Sequence, residues 1–239
     1  MYNLSMSKKE EYRKLKKFFA DTKDEPLENM DGFFDARIEF YEEHMSHWRR
    51  HYEYVANVLP TQTRNLLDLG CGSGLELDAI FTRFPLLDVT GVDLSESMLA
   101  KLKNKHADKN LTLKKCDYFD FDAGENVFDA AVAFETLHHF TAAKKRKLFE
   151  KIFRSLVSGG IFIDCDYIAL SQEIENAAFD ECSKRRRKYS IPPLAYVHFD
   201  TPLTLKHELS ALKKAGFINI KCFFLPHERN TAIITARKY

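Results

Sequence analysis

The chain has 239 residues, 45% of them hydrophobic, with 36 Lys+Arg against 35 Asp+Glu for a net charge of +1. It is too apolar for general disorder and lacks the basic excess of a protein coated for nucleic acid. No apolar run approaches the roughly 20 residues that span a bilayer, and the five scattered cysteines form no C-x-x-C pair, which argues against a disulfide framework and for the reducing cytoplasm.

The basic N-terminal stretch has no apolar segment after it and does not read as a secretory signal. Residues 7–20 read as a charged helix with Tyr12, Leu15, Phe18 and Phe19 as its apolar stripe. Residues 21–30 carry Pro26 and read as a linker. Helices are expected near 31–45 and 47–58, the second stopped by Pro60. From residue 64 short apolar runs alternate with amphipathic stretches. The runs are 65–69, 87–92, 111–114, 127–133, 160–165, 218–225 and 231–236, with helical segments near 74–84, 95–106 and 142–157. Strands interleaved with helices predict an α/β fold with parallel pairing through right-handed crossovers. The last two runs are separated only by residues 226–230, which predicts a hairpin and one antiparallel strand. Residues 167–202 interrupt the alternation with a helix near 171–189 and a loop holding Pro192, Pro193 and Pro202. The chain therefore divides into N-terminal helices over 1–60 and a Rossmann-like core over 61–239, with an insertion at about 167–202. The insertion and the N-terminal helices are read as a cap over the carboxyl edge of the sheet, where open α/β folds bind ligands.

The first chemical signal is the run Asp68-Leu69-Gly70-Cys71-Gly72-Ser73-Gly74. An apolar strand ends in a glycine-rich turn and a helix begins at once, giving free N–H groups and close backbone approach. The spacing is G-x-G-x-G, not the G-x-G-x-x-G of a dinucleotide site. Asp68 suits a cationic ligand group better than a pyrophosphate. Asp93 ends the second strand 23 positions beyond Gly70, where an acid can accept hydrogen bonds from ribose hydroxyls. Ser95 fits the role of helix N-cap ahead of Met98. Asp117, between Cys116 and Tyr118 after the third strand, suits an exocyclic amine or, alternatively, a turn. The fourth strand delivers Phe134, Glu135, His138 and His139 to the sheet edge.

Together these four signals resemble the class I S-adenosylmethionine-dependent methyltransferases, in particular the small bacterial and archaeal methyltransferase-domain type. The resemblance covers residues 34–167 and continues more weakly over 203–239. It implies a seven-stranded sheet of order 3-2-1-4-5-7-6 with strand seven antiparallel. It also implies S-adenosylmethionine as cofactor, with the Asp68–Gly74 turn around the methionine part, Asp93 and the adjoining Leu94 and Met98 at the ribose, and Cys116, Asp117 and Tyr118 near adenine. Within that family the chain is also similar to the carboxy-S-adenosylmethionine synthases and other tRNA wobble-uridine enzymes.

Methyl transfer is an in-line displacement that needs alignment and sometimes a proton acceptor. Candidates for the catalytic roles are His138, His139, Asp166 and Tyr41, with Asp164 ranked behind them. The segment 33–41 resembles the family's pre-core helix. Tyr41 and Arg37 lie four apart on it, and Arg37 is a candidate partner for the methionine carboxylate; packing is the alternative. His44, His47 and His51 have helix-face spacing, but their neighbours are aromatic and basic, so no metal is expected. Trp48 reads as a packing anchor. The run Lys184, Arg185, Arg186, Arg187, Lys188 is either a solvated face or a phosphate contact. Tyr196 and His198 lie in the Pro-rich loop within reach of substrate. The leading reading is a methyltransferase for a small-molecule acceptor, monomeric or homodimeric. An RNA-modifying enzyme using the basic run and a non-catalytic binding module are the alternatives, and a NAD-dependent oxidoreductase is disfavoured by the glycine spacing.

Overall fold

In the computed structural model, residues 8–193, 195–226 and 228–239 are described, apart from the side chain of Asp31. Seven strands form one sheet of order β3-β2-β1-β4-β5-β7-β6. In chain order they are β1 (Asn65–Leu69), β2 (Asp88–Asp93), β3 (Asn110–Lys115), β4 (Phe128–Phe134), β5 (Leu156–Tyr167), β6 (Ile218–Phe223) and β7 (Thr231–Arg237). The first five pair in parallel, and β7 runs antiparallel to both β5 and β6. This is the expected order and hairpin, although His227 in that turn lies outside the described residues.

The helices are α1 (Lys8–Asp21), α2 (Met30–Asp35), α3 (Tyr41–His44), α4 (Arg49–Val58), α5 (Leu75–Arg83), α6 (Glu96–Lys105), α7 (Ala142–Ser155), α8 (Gln172–Lys188) and α9 (Leu205–Lys214). Successive strand residues face opposite sides, and the two cores follow from that. Leu66, Ala130, Val132, Ile163 and Ile233 pack with Val55 of α4 and with Leu77 and Ile80 of α5. Leu67, Ala131, Ala133, Phe162 and Ile234 pack with Phe149 of α7 and Leu212 of α9. Trp48 packs against Phe134 and His51, as an anchor should.

Three expectations change. The helix expected over 31–45 breaks into α2, a turn over 36–40 and α3, with a 3-10 turn over Met45–Trp48. Tertiary contacts pin the segment at separate points: Asp35 accepts hydrogen bonds from Ser95 and Ser97, and Phe34 meets Tyr41 edge-on at 5.9 Å. Arg37 and Tyr41 therefore do not share one helical face. The linker at 21–30 is docked rather than free: His198 N donates to Glu28 O and Met30 N to Tyr196 O. Finally, α9 supplies a helix between the insertion and the terminal hairpin that the strand pattern did not reveal.

A third cluster ties α1 to α8 through Phe19, Ala177, Ala178 and Phe199. The basic run lies here, with Lys184, Arg187 and Lys188 exposed and Arg185 and Arg186 turned towards protein groups. Arg185 is buried, bound to Glu181, Phe19 O and Thr22. Arg186 donates to Pro192 O and Ala195 O, Lys188 pairs with Asp24 and Lys184 with Glu181. Arg187 alone of the five is exposed with no such contact described.

Candidate functional site

Strand β1 delivers Asp68 and Leu69 to a turn in which Gly70, Gly72 and Gly74 all have positive φ, a region that disfavours side chains. At Gly70 a Cβ would lie 2.2 Å from Thr136 Oγ1, so the turn fits directly against the tip of β4. At Gly72 the space is open, with Tyr41 Oη the nearest atom at 3.9 Å. The tip of β2 braces the turn: Asp93 Oδ2 accepts from Gly72 N at 2.9 Å and Oδ1 from Ser95 N at 2.8 Å. Ser95 caps α6 by accepting from Met98 N, as its sequence position predicts.

Gly70, Asp93, Leu94, Asp117, Tyr118, Glu135 and His139 line one cleft at this edge, together with Phe34, Thr136 and Tyr196. Every residue in that lining that carries a formal charge at neutral pH is an acid: Asp93, Asp117 and Glu135. Asp68 is buried just behind the turn, and neither carboxylate oxygen has a hydrogen-bond partner. Burial, with Glu76 and Asp93 nearby, pushes Asp68 above the usual carboxylate range, and burial pushes Glu76 up to about 7. Glu135 has φ +48°, an uncommon conformation for a non-glycine residue. Its Oε1 is buried without a partner, and burial and then Asp166 hold its carboxyl up.

Next to the cleft, His138 Nδ1 lies 2.6 Å from Asp166 Oδ1, and its Nε2 lies 3.4 Å from Asp200 Oδ1. Burial opposes charge on His138, but the two carboxylates win and hold it protonated well above the usual histidine range. Asp166 also accepts from Leu137 N and Tyr167 N. Behind it stands Lys145, fully buried, paired with Glu208 and 3.8 Å from Asp166. His139 is the opposite case. Its Nδ1 donates to Phe199 O, and burial followed by the charge on His138 pushes its pKa down to about 3. It presents a neutral ring to the cleft. His198 stacks on Phe33 at 3.5 Å and lies 5.1 Å from the His139 ring, beside the cleft.

The remaining sequence candidates sort by side-chain direction. Cys71 and Met98 are buried beneath the turn, and Phe134 packs on Tyr52 in the core rather than on the cleft. Cys116 contributes its backbone N–H to Asp93 O. Ser73 is buried with an unpartnered hydroxyl. Asp117 closes a turn on Phe119 N and still lines the cleft. Arg37 points away: Glu28 holds it at 2.8 Å and it lies over the Phe33 ring, so it does not reach the glycine turn. Asp164 is buried and unpartnered behind Asp166. His44, His47 and His51 form no three-ligand group among the described residues; the two groups close enough are His138–His139–Asp200 and Glu135–His138–Asp166. Sequence reasoning missed Lys145, Asp200 and Glu208. Lys145 and Glu208 signal themselves only as charge inside otherwise amphipathic helices, and Asp200 as a charge in the Pro-rich loop.

Residues 66–160 match the family model for a methyltransferase domain. The strand order and the glycine turn agree with that match and with the fold of class I S-adenosylmethionine-dependent methyltransferases. A curated relative, carboxy-S-adenosyl-L-methionine synthase of Nautilia profundicola, is 24% identical over 208 residues, covering 81% of this chain and 85% of the relative. Among solved structures, human N-acetylserotonin methyltransferase in complex with its S-adenosylmethionine superposes with a TM-score of 0.63 at 18% identity, over 92% of this chain and 58% of that one. An S-adenosylmethionine-dependent methyltransferase of Mesorhizobium loti gives 0.58 at 22% identity, over 78% and 98%. These structures share the fold; this chain spans little more than half the length of the human one.

The class cofactor is a cationic sulfonium nucleoside, and the site fits it on three observations. The open space at Gly72 is a cradle that a side chain would fill. The buried oxygens of Asp68 and Glu135 lack partners. The charges lining the cleft are negative, which suits a sulfonium and an ammonium and opposes a pyrophosphate.

Proposed function

We propose that this protein is an S-adenosylmethionine-dependent methyltransferase for a small-molecule acceptor, working in the cytoplasm, with residues 8–60 and 167–202 as its cap. The acid-lined cleft under the glycine turn carries this reading. When bound, S-adenosylmethionine supplies an activated methyl group. Asp93 holds the ribose hydroxyls, Asp117 and Tyr118 border the base, and the turn from Asp68 to Gly74, with Glu135 opposite, surrounds the methionine end. Tyr41, over Gly72, closes that end and excludes water. The neutral ring of His139 orients the acceptor by accepting a hydrogen bond at Nε2, since Nδ1 is already committed to Phe199 O. His138, charged between Asp166 and Asp200, holds His139 and the 198–200 segment in place. The stacked pair of Phe33 and His198 beside the cleft leaves room for a small acceptor rather than an RNA strand, and four of the five residues in the basic run are bound to protein groups.

A second reading is carboxy-S-adenosylmethionine synthesis, supported by the named relative matched along most of its length. It requires a cation to hold a carboxylate on the transferred group, and the cleft lining supplies acids instead. Incubation with S-adenosylmethionine and a panel of small molecules that includes both nucleophilic acceptors and carboxylic acids able to give up their carboxyl group, read by mass spectrometry, separates the two. A methylated acceptor with S-adenosylhomocysteine supports the first reading. A carboxylated sulfonium product overturns it in favour of the second.

A further inference from the structure

A separate cavity of about 420 Å³ lies beyond the His138–Asp200 pair, between α1, the first turns of α8 and the 198–202 segment. Its walls are mostly apolar, with Leu15, Phe18, Phe19, Ile174 and Phe199 among them. Two acids, Glu11 and Asp200, stand among its polar groups, with Lys14, Tyr167, His198 and Asn230. Glu11 is 5% exposed, one carboxylate oxygen faces Tyr167 Oη at 3.4 Å, and the other, Oε2, is buried with no partner. Asp200 lines the same cavity, as does Tyr167. Lys14 is the one Lys or Arg in the lining, near Glu11, and His198 is held neutral there with its pKa pushed down to about 4 by burial.

An unpartnered carboxylate oxygen in an apolar pocket is unfavourable unless a donor arrives. Glu11 Oε2 and the Asp200 carboxylate offer acceptors beside apolar surface, a combination that suits a cation with a greasy body. Asp200 also connects the cavity to the cleft, since its Oδ1 lies 3.7 Å from Nδ1 of the cleft residue His139.

We infer that this cavity is the acceptor's binding site, and that it takes a small molecule carrying a protonated amine on an aryl or alkyl body, with the ammonium held by Glu11 and Asp200. The inference rests on the methyltransferase reading and adds the substrate class to it. The ammonium is the recognised group; its partner oxygens are Glu11 Oε2 and the Asp200 carboxylate.

Calorimetric titration of phenethylamine, 2-phenylethanol and 3-phenylpropionate into the full chain, with S-adenosylhomocysteine present, tests the cavity. The amine is expected to bind at least about tenfold tighter than the alcohol and the carboxylate, the usual value of one charge-assisted contact. The Glu11→Gln variant is expected to lose that preference while S-adenosylhomocysteine binds it as it binds the wild type. Equal binding of amine and alcohol, or an amine preference untouched in Glu11→Gln, overturns the inference. Loss of S-adenosylhomocysteine binding by the wild type would instead strike the methyltransferase reading, so the two failures are distinguishable. Phe18→Trp, which fills the apolar wall and leaves both acids in place, is a second variant, and unchanged amine binding there also counts against the cavity.

Discussion

Lys145 Nζ lies 3.8 Å from Asp166 Oδ2, with both side chains sealed from water. The lysine is also bonded to Glu208, and the aspartate to His138, so a chain of alternating charges runs from α9 to the sheet edge. Buried charges are tolerable when each has a partner and costly when one is removed. Asp166 is thus both the post that sets His138 and the counter-charge of Lys145. Burial alone would raise its pKa, but His138 and Lys145 hold it below the usual carboxylate range.

Removing that post should be felt in the fold. Asp166→Ala leaves a buried lysine and a buried imidazolium each short of a partner, and should destabilise the protein by about 3–5 kcal/mol. Urea unfolding checks this; a loss under about 1 kcal/mol would contradict the charge chain.

The glycine turn makes a contrast between two neighbouring sites. Gly70→Ala places its Cβ against Thr136 at positive φ and should destabilise by about 2–5 kcal/mol, strain and overpacking together. Gly72→Ala meets open space, so it should lose only the left-handed penalty of about 1–2 kcal/mol while filling the cofactor cradle. Gly72→Ala should therefore remain folded by circular dichroism and lose S-adenosylmethionine binding in titration.

Asp93 does two jobs at the strand tip. Asp93→Ala removes the acceptor of Gly72 N and Ser95 N as well as the proposed ribose contact. Affinity for S-adenosylmethionine should fall about 10–100-fold, the value of one or two charge-assisted hydrogen bonds, with about 1–2 kcal/mol lost in stability. Unchanged affinity by calorimetry would refute the ribose assignment.

Acid sensitivity follows from three buried neutral histidines. Burial is the leading cause in each case, and it pushes His51 and His198 down to about 4 and His139 to about 3. Their folded values lie below the ordinary one near 6.5, so above about pH 6.5 neither state binds the proton and stability is complete. As pH falls from about 6.5 towards 4, the unfolded chain gains protons the native state refuses, and stability drops. His138 works in the opposite direction, since its raised value is stabilising at low pH and lost as pH rises through it. His51, on α4 and beside Glu228, lies away from the cleft, so His51→Gln isolates its contribution. It should flatten the fall in unfolding midpoint between about pH 6.5 and 4; an unchanged slope would contradict this.

The sheet was legible because its strands are short apolar runs punctuated by Gly, Pro and charge, and their alternation with helices admits few topologies. The cleft at the sheet edge was legible because Gly70, Asp93 and Asp117, which line it, sit at strand ends, where position follows from local pattern. Side-chain direction was not: Arg37 and Phe134 are in the right segments and face elsewhere. Lys145 was hidden in the run Lys144–Lys147, which reads as a wet helix face, because its burial depends on Glu208, 63 residues further on. Asp200 and Glu11 gain meaning only when α1 and the Pro-rich loop meet over the edge of the sheet. The helix α9 carried a readable pattern in Leu205, Leu209 and Leu212, overshadowed by the strands that follow.

Parallel calorimetric titrations of S-adenosylmethionine, S-adenosylhomocysteine and NADH into the wild-type chain test the central claim most directly. One site per chain for both sulfur nucleosides, at least about tenfold tighter than NADH, is the predicted result. No heat from either of them, with clear binding of NADH, would contradict it.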